Sequence, residues 1–128
     1  MAHILVVEDD TFVAKILTIG LQRAGHSTIL VEDGREVFSS AREHTPDLIL
    51  LDVLLPGMDG FQVLKQLKRH PTTQHIPVLM LTAQSDGPSV IAGLDSGADA
   101  YLSKPVDLPD LLRRILRVLA RTSVLARK

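Results

Sequence analysis

The chain has 128 residues, the usual size of one domain, and this length is enough to bury one hydrophobic core. Its formal net charge of −1 offers no strong field for nucleic acid, and the absence of cysteine excludes disulfides and thiolate metal sites. No apolar run approaches the ~18 residues that span a bilayer, and the N-terminus lacks a signal-peptide pattern, so we expect a cytoplasmic protein without membrane contact.

Five short apolar runs predict five β-strands. Runs that are apolar at successive positions are typical of strands buried on both faces, as in a parallel sheet covered by helices. In chain order the runs are Ile4–Val7, Thr28–Val31, Leu48–Leu51, Val78–Leu81 and Ala100–Leu102.

Apolar residues at helical spacing lie between and after these runs and predict five helices. Gly25 ends the first helix, and Gly97 is suited to the position just after the fourth. The first helix carries a stripe of Phe12, Ile16, Ile19 and Gly20, with Val13, Leu17 and Leu21 beside it. The others are marked by Val37, Phe38 and Ala41; by Phe61, Leu64 and Leu67; by Val90, Ile91 and Leu94; and by Leu108, Leu111, Leu112, Ile115, Leu116 and Leu119.

This alternation predicts an α/β fold of (βα)₅ type with a doubly wound, five-stranded parallel sheet. We expect one domain over residues 1–121. Residues 122–128 are expected to form a C-terminal tail or the start of a linker. The arginines of the last helix are interpreted as a solvated face, because no aromatic residues alternate with them as they do in single-strand nucleic-acid sites.

Reactive side chains follow four of the predicted strands. Glu8 and Asp9 follow the first strand, Asp52 the third, Thr82 the fourth and Lys104 the fifth. In an open α/β sheet, ligands bind at this carboxyl edge. Three carboxylates placed together repel one another, which favours a hard divalent cation such as Mg²⁺. Asp52 could then act as a nucleophile toward phosphorus and form an aspartyl phosphate, with Lys104 neutralising the developing charge.

Each of these features also has a structural explanation when it is taken alone. Acidic residues favour helix N-termini, and Asp10 is the expected N-cap of the first helix. Thr82 could be a cap, and a Lys-Pro pair is often a turn. Their joint placement at the ends of the predicted strands favours the functional interpretation.

Four segments together resemble the receiver domains of bacterial two-component response regulators, among them the chemotaxis receivers. The segments are ILVVEDD, PDLILLDVLLPGMDG, PVLMLTA and GADAYLSKP, and the resemblance covers about residues 3–120. It implies a flavodoxin-like sheet of strand order 2-1-3-4-5. It also implies a phosphorylation-activated signalling switch rather than a conventional enzyme, although such a domain catalyses its own phosphorylation and slow self-dephosphorylation.

The resemblance implies a role for each matching residue of the metal site. Asp52 would be the phosphoacceptor and a metal ligand. Asp9 would bind Mg²⁺ directly, Glu8 would bind it through water, and the backbone carbonyl of Leu54 would be a further ligand. Mn²⁺ is expected to be able to replace Mg²⁺.

The resemblance also implies a switch. Thr82 would move toward the phosphoryl group and Tyr101 would swing inward with it, while a cis peptide bond between Lys104 and Pro105 would aim the lysine. The implied partners are a sensor histidine kinase or phosphotransfer protein, or a small phospho-donor. The face formed by the fourth predicted helix, the fifth strand and the fifth helix would contact a second copy or an output domain, without direct nucleic-acid binding by this domain.

Two positions are expected to tune the lifetime of the phosphoryl group. Leu54, two residues after Asp52, is apolar where many family members carry a polar residue, and Gln84, two residues after Thr82, is neutral. An apolar side chain cannot hold the attacking water. We therefore expect slow self-dephosphorylation.

Three other functions fit the sequence less well. A flavodoxin-like cofactor binder needs a phosphate-binding loop after the first strand, where this chain has VVEDD. A phosphatase with an aspartate nucleophile needs a second acid at position 54, which is Leu54. A docking module without a metal is not favoured, because every chemical position is filled.

Overall fold

The computed structural model describes residues 2–83 and 97–126, which form a five-stranded parallel sheet of order β2-β1-β3-β4-β5 with helices on both faces. The predicted fold class and strand order are confirmed. The strands are β1 (His3–Val7), β2 (Ser27–Val31), β3 (Leu48–Asp52), β4 (Val78–Ala83) and β5 (Ala100–Lys104). The helices are α1 (Thr11–Arg23), α2 (Val37–His44), α3 (Gly60–Arg69) and the C-terminal helix (Leu108–Ala126), with a 3₁₀ turn at Gly34–Glu36.

The central strands separate two hydrophobic cores. Successive side chains of a strand point to opposite faces, so the apolar runs of β1 and β3 supply both cores. One core joins the sheet to α2 and α3, and the other joins it to α1 and the C-terminal helix. The first contains Leu5, Val7, Ile49, Leu51, Val37, Leu64 and Leu67, and the second contains Ile4, Val6, Leu48, Leu50, Leu17, Leu111 and Ile115.

Capping residues fix where two of the helices begin. The Asp10 side chain accepts hydrogen bonds from the amides of Phe12 and Val13, so its expected role as N-cap of α1 is confirmed. Asp59 starts α3 through a reciprocal capping box with Gln62. Both caps lie in segments that follow the carboxyl ends of strands, and they start α1 and α3 beside the candidate site.

The buried face of α1 differs from the stripe that the sequence suggested. Phe12 is 73% exposed, and Ile16 and Ile19 are about half exposed. The helix instead buries Ala14, Leu17 and Leu21, which lie beside the stripe, together with Gly20, the one buried member of the stripe itself. The C-terminal helix approaches α1 closely at Gly20, where a Cβ atom would lie 2.5 Å from the Cδ2 atom of Leu108. The absence of a side chain on Gly20 permits this close packing.

Several predictions concern the ends of the described segments. The fourth predicted helix, with Val90, Ile91 and Leu94, lies outside the described residues. The C-terminal helix continues past residue 121 to Ala126, and the domain boundary at residue 121 stays a prediction. Within the described ranges, no helix is long and apolar enough to cross a membrane.

Candidate functional site

Strand register brings the acidic residues of β1 and β3 together. Val7 pairs with Leu51, so Glu8 and Asp52 each occupy the next position on adjacent strands. The Glu8 amide donates to the Val31 carbonyl at 3.0 Å, which extends the pairing with β2 past the end of β1. The two carboxylates therefore lie side by side at the carboxyl edge of the sheet.

Glu8, Asp9 and Asp52 form an acidic cluster in which one carboxylate oxygen of each lies within 4.8 Å of the others. Glu8 is 1% exposed and Asp52 is 4% exposed, whereas Asp9 is exposed to solvent. Hard oxygen donors with Asp9 open to solvent suit Mg²⁺, which usually binds one or two carboxylates directly and retains several waters. The residues present thus fit the metal that the sequence pattern suggested.

Lys104 connects the two buried carboxylates. Its Nζ atom lies 2.8 Å from Asp52 Oδ2 and 3.1 Å from Glu8 Oε1. The remaining oxygens accept backbone hydrogen bonds: Asp52 Oδ1 from the Leu54 amide at 3.3 Å, and Glu8 Oε2 from the Asp10 amide at 3.1 Å. Each buried carboxylate is therefore held in place from two directions.

The charges in this cluster do not balance. Burial raises the pKa of Glu8, and the negative charge of Asp52 adds to this increase, although the Asp10 amide and Lys104 oppose it. Burial alone would lower the pKa of Lys104, but its bonds and attraction to Asp52 and Glu8 prevail and raise that pKa. A charged Lys104 offsets only one of three carboxylates. The surplus negative charge favours a bound cation.

Thr82 and Tyr101 lie on the neighbouring strands. Asp52 pairs with Leu81, and so the buried Thr82 lies one residue further toward the carboxyl edge. Tyr101, on β5, pairs with Met80 on β4 and packs against the core that joins the sheet to α2 and α3. The peptide bond between Lys104 and Pro105 is cis, the isomer that the resemblance implies. Gln84 lies outside the described residues.

One contact beside the site is not predictable from the sequence pattern. The turn at Asp33, Gly34 and Arg35 packs against the loop of residues 53–59, which follows Asp52. Turn-forming residues at both places were visible in the sequence, but their contact depends on tertiary structure.

Two arginines assigned to the solvated face also have structural partners, since Arg114 donates to the Tyr101 carbonyl and Arg121 to the Asp99 carbonyl.

A family model describing the response regulator receiver domain matches residues 4–116. The chain belongs to this family. The receiver is 43% identical over 122 residues to the DNA-binding dual master transcriptional regulator RpaA from Synechocystis sp., covering 95% of this chain and 51% of that protein. It thus spans about half the length of the curated relatives it matches.

Solved structures support the same assignment. A putative response regulator from Chloroflexus aurantiacus is 39% identical with a TM-score of 0.89, and the match covers 93% of this chain and 98% of that one. The receiver domain of sensor histidine kinase PA1611 from Pseudomonas aeruginosa is 28% identical with a TM-score of 0.86, at coverages of 93% and 98%. That structure has a magnesium ion coordinated in its active site cleft. The resemblance seen in the sequence and the fold are both confirmed.

Proposed function

We propose that this receiver accepts a phosphoryl group on Asp52 from a histidine kinase or phosphotransfer protein and thereby controls an output partner. The observation that carries the proposal is the ion pair of 2.8 Å between Lys104 and Asp52 inside a surplus of negative charge. A bound Mg²⁺ would be held by Asp9, Asp52 and the Leu54 carbonyl, and by Glu8 through a water. It would supply positive charge for the oxygens of the transferring group.

The residues of the chain have distinct parts in this reaction. A carboxylate oxygen of Asp52 forms the new phosphorus–oxygen bond, while the bond between phosphorus and the phosphohistidine nitrogen of the donor protein breaks. Lys104, already within hydrogen-bond distance of Asp52, stabilises negative charge on the transferring group. Thr82 provides a hydroxyl donor at the same edge. Burial of Asp52 excludes bulk water from the nucleophile.

Phosphorylation of purified protein tests the proposal. With acetyl phosphate and Mg²⁺, intact-mass analysis should show one added phosphoryl group, and none for Asp52→Asn. Asp47→Asn is the matched control, because Asp47 lies beside β3 at its other end and should leave labelling unchanged. Labelling of Asp52→Asn, or equal labelling in EDTA, contradicts the assignment.

We also propose that the phosphoryl signal reaches the face that includes β5 and the C-terminal helix. Thr82 and Tyr101 lie on adjacent strands, and Arg114 of the C-terminal helix binds the Tyr101 carbonyl at 3.1 Å. This bond connects the switch residues to that helix. Because RpaA is a DNA-binding regulator, the partner is expected to be an output domain of that kind.

Beryllofluoride with Mg²⁺ mimics the phosphorylated state. Such a ligand shifts the population of the receiver toward the conformation that it binds better. It should shift the amide resonances of Thr82, Tyr101 and the adjoining part of the C-terminal helix together. Shifts confined to the residues around Asp52 contradict coupling to this face. The amide of His26, which lies at the opposite edge of the sheet, is the internal control.

A further inference from the structure

The loop of residues 53–59 connects the phosphoacceptor strand to α3, and the proposed function assigns a metal ligand to it, the Leu54 carbonyl. The ends of this loop are held by the sheet and the helix. The Val53 amide donates to the Leu81 carbonyl at 3.0 Å, and the Gly60 amide donates to the Val53 carbonyl at 2.7 Å. Leu54 itself is 64% exposed, so its side chain anchors the loop weakly.

The middle of the loop is held from outside by the turn after β2. The Gly34 amide donates to the Pro56 carbonyl at 3.3 Å, and that same carbonyl accepts from the Met58 amide at 2.9 Å. Gly34 is buried at this contact. A Cβ atom on Gly34 would overlap the Met58 carbonyl oxygen, so the two backbones approach more closely than any other residue would allow.

A second contact lies beside the first. The Asp33 carboxylate accepts from the Arg35 amide at 2.8 Å and from the Arg35 guanidinium at 2.7 Å, which closes the turn on itself. Gly57 fits against this pair in a left-handed conformation with φ of 82°. A Cβ atom on Gly57 would lie 2.5 Å from Asp33 Oδ1 and 2.6 Å from Arg35 Nε. The turn and the loop are therefore shaped to each other at two points.

We propose that Gly34 is a positioning residue for the metal site, and that the turn of residues 33–35 sets the place of the Leu54 carbonyl relative to Asp52. The inference rests on the proposed function. Pro56 is two residues from Leu54, so displacement of the Pro56 carbonyl moves the backbone between them. Residues that orient metal ligands typically change metal affinity by about 10–100-fold when they are mutated.

The test measures Mg²⁺ affinity of the unphosphorylated full chain by titration calorimetry. Gly34→Ala and Gly57→Ala should each weaken Mg²⁺ binding roughly tenfold, because the added methyl group displaces the loop. Gly97→Ala is the matched control for Gly57→Ala. Gly97 has φ of 95°, and among residues 2–83 and 97–126 the atom nearest to a Cβ there would be Lys68 Cγ at 3.9 Å. It carries similar backbone strain without contacting the loop, and it should bind Mg²⁺ like the wild type.

Thermal unfolding in EDTA separates positioning from a merely structural role. If Gly34→Ala and Gly57→Ala lose stability but bind Mg²⁺ as tightly as the Gly97→Ala control, the proposal is overturned. If neither variant folds, the amide NMR spectrum of the wild type tests the proposal instead. Adding Mg²⁺ should then shift the Gly34 amide resonance and leave the Gly97 amide in place, and an unmoved Gly34 amide overturns the proposal.

The same titration distinguishes this inference from the proposed function. A wild-type chain that binds no Mg²⁺ contradicts the proposed metal site and the positioning role with it. A wild-type chain that binds Mg²⁺, with variants that bind it equally well, contradicts the positioning role alone.

Discussion

The two ends of the sheet use polar side chains in different ways. At the amino end, Asp47 accepts from the His3 amide at 2.7 Å, and Asp99 accepts from the Val78 amide at 2.8 Å. Each of these carboxylates satisfies a backbone donor at the start of a strand. A backbone amide without a partner in the sheet needs an acceptor, and these carboxylates supply it.

At the carboxyl end, the charged groups face one another. Glu8 and Asp52 are both nearly inaccessible, lie beside Asp9 and have Lys104 between them. Buried charges of like sign destabilise a fold unless another charge compensates them. The amino end is therefore arranged for stability, whereas the carboxyl end retains an electrostatic cost that ligand binding can relieve.

Two lysines, one at each end of the sheet, test this difference. They form a matched pair because their side chains are similarly buried: that of Lys68 is 22% exposed and that of Lys104 is 26% exposed. Lys68 donates to the Ile76 carbonyl at 2.9 Å and lies 3.6 Å from Asp99, so its bonds close the loop before β4. Lys104 contacts the proposed nucleophile instead. Lys104→Met should slow phosphorylation by acetyl phosphate roughly 10²–10³-fold, the cost of removing one charge-stabilising donor.

Initial rates by intact mass, with unfolding curves for the same samples, separate the two lysines. Lys68→Met should lower the melting temperature and keep the wild-type phosphorylation rate. A Lys68→Met variant as slow as Lys104→Met contradicts the division between the two ends of the sheet.

Leu54 allows a second, smaller test at the carboxyl end. Its exposed side chain follows Asp52 by two residues, where an apolar group offers no hydrogen bond to an attacking water. Leu54→Asn should therefore speed hydrolysis of the phosphorylated protein severalfold. Leu30→Asn changes another exposed leucine, on the edge strand β2, and should leave the rate alone.

The measurement is phosphate loss after removal of the donor, followed by intact mass at fixed Mg²⁺ concentration. A Leu54→Asn rate equal to or below that of the wild type shows that Leu54 does not shield the phosphoryl group.

The sequence predicted the sheet and the edge at which the reactive residues meet. Strand order entered through the family resemblance, and the meeting of Glu8, Asp52 and Lys104 followed from the rule that parallel strands end together. The exposed row of α1 was harder to predict, because two apolar rows lie side by side and the exposed one carries the large side chains of Phe12, Ile16 and Ile19. The contact between Gly34 and Pro56 was out of reach, since it joins two turns that no periodicity relates.

The smallest effects come from single carboxylates, and they have opposite signs at the two ends. In EDTA, Asp47→Ala should lower the melting temperature, because the His3 amide loses its acceptor. Asp9→Ala should raise it slightly, because removing an exposed negative charge beside Glu8 and Asp52 relieves repulsion.

The most direct test of the central claim is the melting temperature of the wild type, Asp9→Ala and Asp47→Ala, measured with EDTA and again with Mg²⁺. A ligand that binds only the folded state raises the free energy of unfolding, and the increase grows with the logarithm of the ratio of ligand concentration to dissociation constant. Mg²⁺ should therefore raise the melting temperature of the wild type and of Asp47→Ala equally, and that of Asp9→Ala much less. An Asp9→Ala variant that is destabilised in EDTA and keeps the full Mg²⁺ gain contradicts the account of the carboxyl end as a metal-dependent phosphoryl site.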